Sequence, residues 1–289
     1  MMLYLLYARR GCCVSHRNGR RVRNTKDWAW HAREPRDDAT TLVASALAEG
    51  FRHIDTAEYY GNEEPVGKAL AMSSVPRSDI WLTTKVLHPK APTPADVRSA
   101  AEASLRRLGV DYVDALLIHW PNPLFDHDEA LRVFAELRDE GKVRTIGVSN
   151  FPSEFLRDVL SHVDLLFTNQ VEYHPFLDQS LILGLLRDAG STLTAHTPLA
   201  RGRVLEDPVI LQIAADRGQS PAQVALRWLV QQDRVIAIPG SSPGSVGHLR
   251  ENLAVLDLQL TDEEMSRISA LSDKNVRVVS GDHAPAWDA

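Results

Sequence analysis

Four polar side chains lie at or just after the ends of three short apolar runs, and their combination of chemical types suits proton transfer. Asp55 ends the first run, and Tyr60 follows five residues later. Lys85 ends the second run, and His119 follows the third. A phenol with an ordinary pKa of about 10 is a weak acid, but a nearby ammonium favours its ionised form, and a carboxylate can hold that ammonium. The set predicts an enzyme in which Tyr60 is a general acid supported by the other three residues.

Each of these side chains also has a plainer interpretation. A loop tyrosine is more often a half-buried packing residue, and we expect this of the adjacent Tyr59. Lys85 alone would be a solvated lysine, and His119 alone would be a core histidine. Asp55 could cap the following helix. Because the four occur together at the ends of three successive runs, the functional interpretation is favoured.

The apolar runs recur along the chain between segments that have the period of an α-helix. Seven runs rich in Val, Ile and Leu are predicted to be strands. They cover residues 50–55, 80–85, 113–121, 143–149, 165–169, 191–195 and 234–239. Helices are predicted over residues 40–48, 63–71, 94–108, 128–140, 152–160, 179–188 and 221–231.

This alternation predicts an α/β fold, and within that class a (β/α)8 TIM barrel with an atypical first strand. In such a barrel, active sites lie at the C-terminal ends of the strands, where the polar residues occur here. A doubly wound open sheet is the alternative. The chain lacks the G-x-G-x-x-G turn that such a sheet usually carries after its first strand, so the barrel is favoured.

The N-terminal segment departs from the barrel pattern. Residues 1–8 are mostly apolar and residues 9–26 are basic without an acidic residue, which reverses the order in a secretory signal. An organelle transit peptide is a less favoured alternative. We assign residues 1–30 to an atypical basic segment that is either disordered or a degenerate first strand. Residues 24–30 are expected to occupy the first strand position, because a missing strand would expose two sheet edges. Residues 31–289 are assigned to the barrel, with a C-terminal tail over the site.

The composition is typical of one domain with a buried core. The 289 residues are 44% hydrophobic and 24% charged, and a net charge of -6 gives no reason to expect nucleic acid. No apolar run approaches the roughly 20 residues that a membrane span needs. Cys12 and Cys13 are adjacent, so no disulfide framework is implied and a cytoplasmic protein is expected.

Several motifs follow one another between residues 37 and 287. They are residues 50–63, Thr84-Lys85, Ile118-His119-Trp120-Pro121, Gly147-Val148-Ser149-Asn150-Phe151, residues 169–175 and Glu251-Asn252-Leu253. In these motifs the chain resembles the aldo-keto reductases, a barrel family that reduces carbonyl compounds with a nicotinamide cofactor and without a metal. Residues 275–280 and 284–287 are similar to the tail of bacterial 2,5-diketo-D-gluconate reductases.

The resemblance implies a cofactor site at matching positions. Ser149, Asn150 and Gln170 match residues that bind the nicotinamide carboxamide. His196 stands where a tyrosine usually stacks on the ring, with Leu199 in the same segment. The residues expected at the phosphate and adenine end are Ser241, Arg250, Glu251 and Asn252. The plainer interpretation of these side chains is capping of strand ends and solvation of a helix.

Two departures from the family affect the cofactor and the substrate. Gly240 and His248 occupy the positions of the lysine and arginine that usually hold the 2′-phosphate of NADP, so NADPH is expected with NADH as an alternative. The expected pocket residues are Leu87, where tryptophan is common, with Trp120 and Trp287. The resemblance implies a monomer acting on small carbonyl compounds, with keto-sugar acids and dicarbonyls as leading candidates, and no metal, membrane or nucleic-acid partner.

Two other functions compete with carbonyl reduction. The first is a non-catalytic barrel that binds a nicotinamide cofactor and serves as a regulatory or partner-binding subunit; the atypical first strand favours it and the intact four-residue set opposes it. The second is a barrel lyase or aldolase that forms a Schiff base through Lys85.

Overall fold

The structure is a computed structural model of the chain. It describes the backbone of residues 4–6, 13–15, 21–23, 36–38 and 246. Backbone and side chains are described for residues 39–86, 93–122, 125–163, 166–240, 247–279 and 284–288. Among the helices of these residues, none is both long enough and apolar enough to span a membrane.

Most strands form a single curled sheet that follows the order of the chain. The strands are Tyr4–Leu6 (β1), Cys13–Ser15 (β2), Arg21–Arg23 (β3), His53–Asp55 (β4), Trp81–Val86 (β5), Val113–Ile118 (β6), Val143–Ser149 (β7), Thr168–Glu172 (β8), Thr192–His196 (β9) and Val235–Ile238 (β10). Strands β4 to β10 are seven parallel neighbours, whereas β2 and β3 form a separate antiparallel pair.

Helices connect successive parallel strands and pack on the sheet. They are Arg36–Glu49 (α1), Glu63–Met72 (α2), Pro94–Leu108 (α3), His127–Asp139 (α4), Ser153–His162 (α5), Ser180–Asp188 (α6), Pro208–Arg217 (α7), Pro221–Gln231 (α8), Val246–Ala254 (α9) and Asp262–Ser269 (α10). Their ends follow local chemistry. Thr93 and Ser220 form capping boxes at the starts of α3 and α8, and Gly109 ends α3 in the left-handed conformation.

The predicted α/β barrel architecture is confirmed, with small errors in the bounds. The fourth predicted helix begins one residue early in the structure, and β6 and β7 start where expected. Strand β8 begins at Thr168, three residues later than predicted. The residues of β8 are mostly polar yet buried. The predicted strand starts too early because the prediction follows the apolar residues that precede β8. Helices α7, α9 and α10 were not delimited from the sequence.

The place beside β4 is taken by an antiparallel strand. Tyr4 of β1 pairs with Asp55 of β4, and β1 also comes within 8 Å of β10 at the other side of the sheet. The first strand is therefore atypical, as expected. The prediction that residues 24–30 fill this position lies outside the described residues.

Helices α2 and α3 approach each other so closely that only glycine fits at their contact. A Cβ atom built on Gly67 would lie 2.3 Å from the carbonyl oxygen of Leu108. We expect Gly67→Ala to lower the free energy of unfolding by about 1–3 kcal/mol, because backbone atoms of α3 must move. Gly184→Ala in α6 is the matched control, since a Cβ there meets nothing within 4 Å. It should stabilise the protein by up to about 1 kcal/mol. Urea unfolding of both variants measures the difference, and equal midpoints would refute the packing argument.

Candidate active site

A buried ion pair lies at the centre of the site. Asp55 ends β4 and Lys85 belongs to β5, and these strands are parallel neighbours, so their C-terminal ends adjoin. Both side chains are fully buried, and the Lys85 ammonium is bonded to Asp55 Oδ1. Lys85 Nζ also donates to the carbonyl of Thr56 at 3.0 Å, and Gln170 Nε2 donates to Asp55 Oδ2 at 2.8 Å. Burial lowers the pKa of Lys85 even though the charge of Asp55 opposes that shift.

Tyr60 and His119 complete the predicted set around this pair. A short 3-10 turn, Glu58–Tyr60, carries Tyr60 and ends at Gly61, which adopts φ 63°. Tyr60 is buried, and its ring centroid lies 5.1 Å from Lys85 Nζ. The His119 ring contacts it edge to face, with centroids 5.4 Å apart. The structure thus brings all four side chains together, as the sequence predicts, and Asp55 does not cap a helix.

His119 is held as a neutral imidazole. Burial lowers its pKa well below the usual value, and the Lys85 charge lowers it further. Its Nδ1 atom is buried and has no hydrogen-bond partner within the described residues. A neutral imidazole whose Nδ1 has no partner among the described residues can donate to, or accept from, a ligand oxygen.

The residues expected at the carboxamide form a connected polar cluster. Ser149 Oγ and the Asn150 backbone N–H both donate to the carbonyl of Gln170, at 2.8 and 2.9 Å. Asn150 adopts φ 63°, and its Nδ2 donates to the His119 carbonyl at 3.0 Å. This left-handed turn directs the amide of Asn150 across the strand ends. The cluster therefore lies beside the four-residue set.

His196 is fixed by hydrogen bonds at both ring nitrogens. Its Nε2 lies 2.9 Å from Asn150 Oδ1, and its Nδ1 lies 3.0 Å from Thr197 Oγ1. Burial lowers the pKa of His196 to about 3, so the ring is uncharged at neutral pH. These two contacts fix the orientation of the imidazole at the end of β9. Leu199, three residues further, packs partly buried against the hydrophobic core.

Of the residues expected at the phosphate and adenine end, some already have partners within the protein. Arg250 is exposed and forms a two-pronged ion pair with Glu49 of α1, at 2.8 Å for both contacts. The Glu251 carboxylate accepts from Ser220 Oγ. Asn252 is buried, and its Nδ2 has no hydrogen-bond partner within the described part of the chain. A buried donor of this kind fits the polar edge of an adenine ring. Ser241 and Leu87 lie outside the described residues.

Aromatic side chains lie at the edge of the four-residue set. The rings of Trp120 and Trp287 are 6.2 Å apart, so the C-terminal tail reaches the residue that follows His119. Tyr59 was expected to be a packing residue, but it is 68% exposed and its ring contacts that of His119. The packing interpretation of Tyr59 is wrong, because the 3-10 turn buries Tyr60 and leaves its neighbour on the outside.

Glu172 and His174 belong to this region, although sequence reasoning gave them no role. Glu172 is buried at the end of β8, and its Oε1 lies 2.9 Å from His174 Nε2. It also accepts the backbone N–H groups of Val278 and Val279, at 2.7 and 2.8 Å. Burial alone would raise the pKa of Glu172, but the bonds from His174 and Val278 lower it. The available signal was a buried-strand motif that ends in two ionisable residues, Glu172-Tyr173-His174.

Comparison with known proteins identifies the family of this chain. The model of the Aldo/keto reductase family matches residues 24–273. An aldo-keto reductase of Mycobacterium sp. (strain JLS) is 39% identical over 243 residues, which cover 83% of this chain and 86% of that protein. An aldo-keto reductase of Mycobacterium avium (strain 104) is 41% identical over 239 residues, 82% of each chain.

Solved structures show the same relationship. A crystal structure described as a candidate 2,5-diketo-D-gluconic acid reductase B superimposes with a TM-score of 0.83 at 41% identity, over 88% of this chain and 90% of that one. An aldo/keto reductase from Brucella melitensis gives a TM-score of 0.80 at 36% identity, over 90% and 97% of the two chains. The chain belongs to the aldo/keto reductase family and is an oxidoreductase.

Proposed function

We propose that this chain reduces small aldehydes and ketones with hydride from NADPH, and that Tyr60 is the general acid. Keto-sugar acids and dicarbonyls are the leading substrates. The observation that carries the proposal is the buried ammonium of Lys85, which is bonded to Asp55 and faces the Tyr60 ring at 5.1 Å. The candidate 2,5-diketo-D-gluconic acid reductase B among the similar structures supports the substrate class.

The proton chemistry is assigned to this chain's own side chains. Reduction leaves negative charge on the carbonyl oxygen, so a donor must deliver a proton there. Tyr60 supplies that proton, and the Lys85 ammonium stabilises the phenolate that remains. Asp55 keeps Lys85 charged against the desolvation that lowers its pKa. His119 orients the carbonyl oxygen toward Tyr60. Because its ring is neutral, it does not place a second positive charge beside the Lys85 ammonium.

The residues beside this set fit a nicotinamide cofactor, which supplies the hydride when bound. Ser149, Asn150 and Gln170 carry donors and acceptors that can hold a carboxamide, and His196 offers a flat ring face. The buried Nδ2 of Asn252 suits the adenine end. The pairing of Arg250 with Glu49 leaves Arg250 less suited to a phosphate, which keeps NADH as an alternative to NADPH.

Two competing functions are less well supported. A non-catalytic cofactor-binding subunit is not favoured, because the similar curated proteins are named as reductases and the four-residue set is intact. A Schiff-base lyase needs an unprotonated lysine amine that a substrate can reach. Lys85 is fully buried and bonded to Asp55 and the Thr56 carbonyl, so this use is disfavoured.

Oxidation of NADPH, and separately NADH, by the purified chain with methylglyoxal tests the proposal. We expect carbonyl-dependent loss of reduced cofactor absorbance, with NADPH at least as effective as NADH. Binding of either cofactor without turnover of methylglyoxal or a keto-sugar acid would select the non-catalytic alternative. Borohydride trapping of a substrate on Lys85 would select the lyase.

A monomeric state and a cytoplasmic location stay predictions from the sequence. Gel filtration of the purified chain checks the first, because an elution volume far from that of a 32.1 kDa protein would contradict it.

A further inference from the structure

Glu172 joins the end of β8 to the C-terminal tail, which we define as residues 275–279 and 284–288. Its side chain is buried, and each of its carboxylate oxygens accepts a backbone N–H group of the tail. Val278 donates to Oε1 at 2.7 Å, and Val279 donates to Oε2 at 2.8 Å. The carboxylate therefore fixes two successive peptide groups of the tail.

His174 supports the charge on this carboxylate. Its Nε2 atom lies 2.9 Å from Glu172 Oε1, and both side chains are fully buried. Burial alone would raise the pKa of Glu172, but the bonds from His174 and Val278 hold it below the ordinary value. A charged acceptor forms hydrogen bonds roughly twice as strong as those of a neutral one. Glu172 thus holds the tail by strong bonds at a site away from water.

The tail residues next to Glu172 are aligned by further contacts. The Val276 backbone N–H donates to the Phe176 carbonyl at 2.7 Å. The side chains of Val276 and Val278 are partly buried and pack against the apolar cluster that contains Phe176. Between these two valines, Arg277 lies with its guanidinium carbon 3.9 Å from the centroid of the Trp287 ring. The position of this backbone segment therefore affects where Trp287 is held.

We propose that Glu172 is a positioning residue for carbonyl reduction, which holds the tail so that Trp287 lies against Trp120 beside the substrate. Trp120 directly follows His119, and its ring centroid is 6.2 Å from that of Trp287. If the substrate binds only when the tail is in place, its apparent affinity falls with the fraction of molecules in that state. Loosening the tail therefore raises KM, whereas kcat stays the same because the proton-transfer residues are unchanged. The inference rests on the proposed reductase function.

A merely structural role for Glu172 makes a different prediction. Loss of a buried, hydrogen-bonded carboxylate would lower the stability of the whole domain. The fraction of folded enzyme, and with it the apparent kcat, would then fall, while KM would not change. The split between KM and kcat, measured beside urea unfolding, separates the two roles.

The first variant is Glu172→Gln, which keeps the size of the side chain. The amide oxygen can still accept from Val278, but the amide nitrogen is a donor and faces the N–H of Val279, so one bond becomes a repulsion. We expect KM for methylglyoxal to rise by about 10-fold, with kcat within about twofold of wild type. Hydrogen–deuterium exchange of the tail should become faster in this variant, while exchange of β5 and β6 stays the same.

The second variant, Val279→Pro, tests whether this hydrogen bond carries the effect. Alone, it removes the N–H that Glu172 accepts, so KM should rise about as much as in Glu172→Gln. In the double variant, proline removes the donor that opposes the introduced amide. The increase in KM should then be no larger than in Glu172→Gln, rather than the product of the two single effects.

Ser153→Ala is the matched control, because it changes a second, exposed anchor of the same tail. Ser153 donates to Asp288 through Oγ at 2.6 Å and through its backbone N–H at 2.9 Å. The substitution removes only the Oγ bond, which water can replace, so KM should stay near that of wild type.

Two results would overturn the proposal: an unchanged KM in Glu172→Gln, or single effects of Glu172→Gln and Val279→Pro that simply multiply in the double variant. If wild type reduces no carbonyl compound, the reductase proposal fails by itself. The exchange measurement then still decides whether Glu172 holds the tail, because equal tail exchange in wild type and Glu172→Gln would overturn this inference as well.

Discussion

Replacement of Tyr60 by phenylalanine is expected to lower kcat by about 10²- to 10⁴-fold, the usual contribution of a positioned general acid. The substitution removes only the hydroxyl. The buried ring keeps its edge contact with His119 and its position beside the Lys85 ammonium. Folding and cofactor affinity should therefore stay close to wild type. Steady-state kinetics with methylglyoxal, together with a cofactor dissociation constant from fluorescence titration, measure both quantities.

The adjacent tyrosine supplies the control for this experiment. Tyr59→Phe removes the same hydroxyl from a residue on the same 3-10 turn, but its side chain is 68% exposed. We expect Tyr59→Phe to keep a kcat near that of wild type. If the two variants are equally active, Tyr60 is not the general acid, and His119 would be the next candidate for that role.

A parallel strand could be predicted where the buried strand is also an apolar run in the sequence. A strand buried on both faces is usually an apolar run, and β10 fits that rule, as does β6 apart from Asp114. Strand β8 does not, because Thr168, Asn169 and Gln170 are polar residues that the sheet nonetheless buries. Their side chains are satisfied by hydrogen bonds to other strands and loops, which no local pattern reveals.

The centre of the site was predictable for a related reason. Asp55 ends β4 and Lys85 is the last residue but one of the adjacent parallel strand β5, and that topology brings their side chains together. Contacts between remote segments were not predictable. Glu172 meets Val278 across 106 positions, and Arg250 meets Glu49 across 201, so their pairing depends on the completed fold. Arg250 was expected at the cofactor for its charge, whereas its partner on α1 could not be foreseen.

The buried pair of Asp55 and Lys85 carries the second large prediction. Both side chains are fully buried, so removing one partner leaves the other as an uncompensated charge. We expect Lys85→Met to lower the free energy of unfolding by about 3–5 kcal/mol and to abolish carbonyl reduction. Burial already raises the pKa of Asp55, and loss of the ammonium raises it further. Asp55 can then take up a proton in the variant, which keeps the destabilisation near the lower end of that range.

The double variant Asp55→Asn/Lys85→Met distinguishes a functional pair from a structural one. It removes both charges, and Asn can still accept from Gln170, so most of the lost stability should return. Activity should not return, because nothing then stabilises the phenolate of Tyr60. Urea unfolding and steady-state kinetics on the wild type, both single variants and the double variant measure the coupling. A double variant that is stable and inactive means that the fold tolerates an uncharged centre and that the ion pair serves the reaction. A double variant no more stable than Lys85→Met would contradict this, since the pair would then be required for folding.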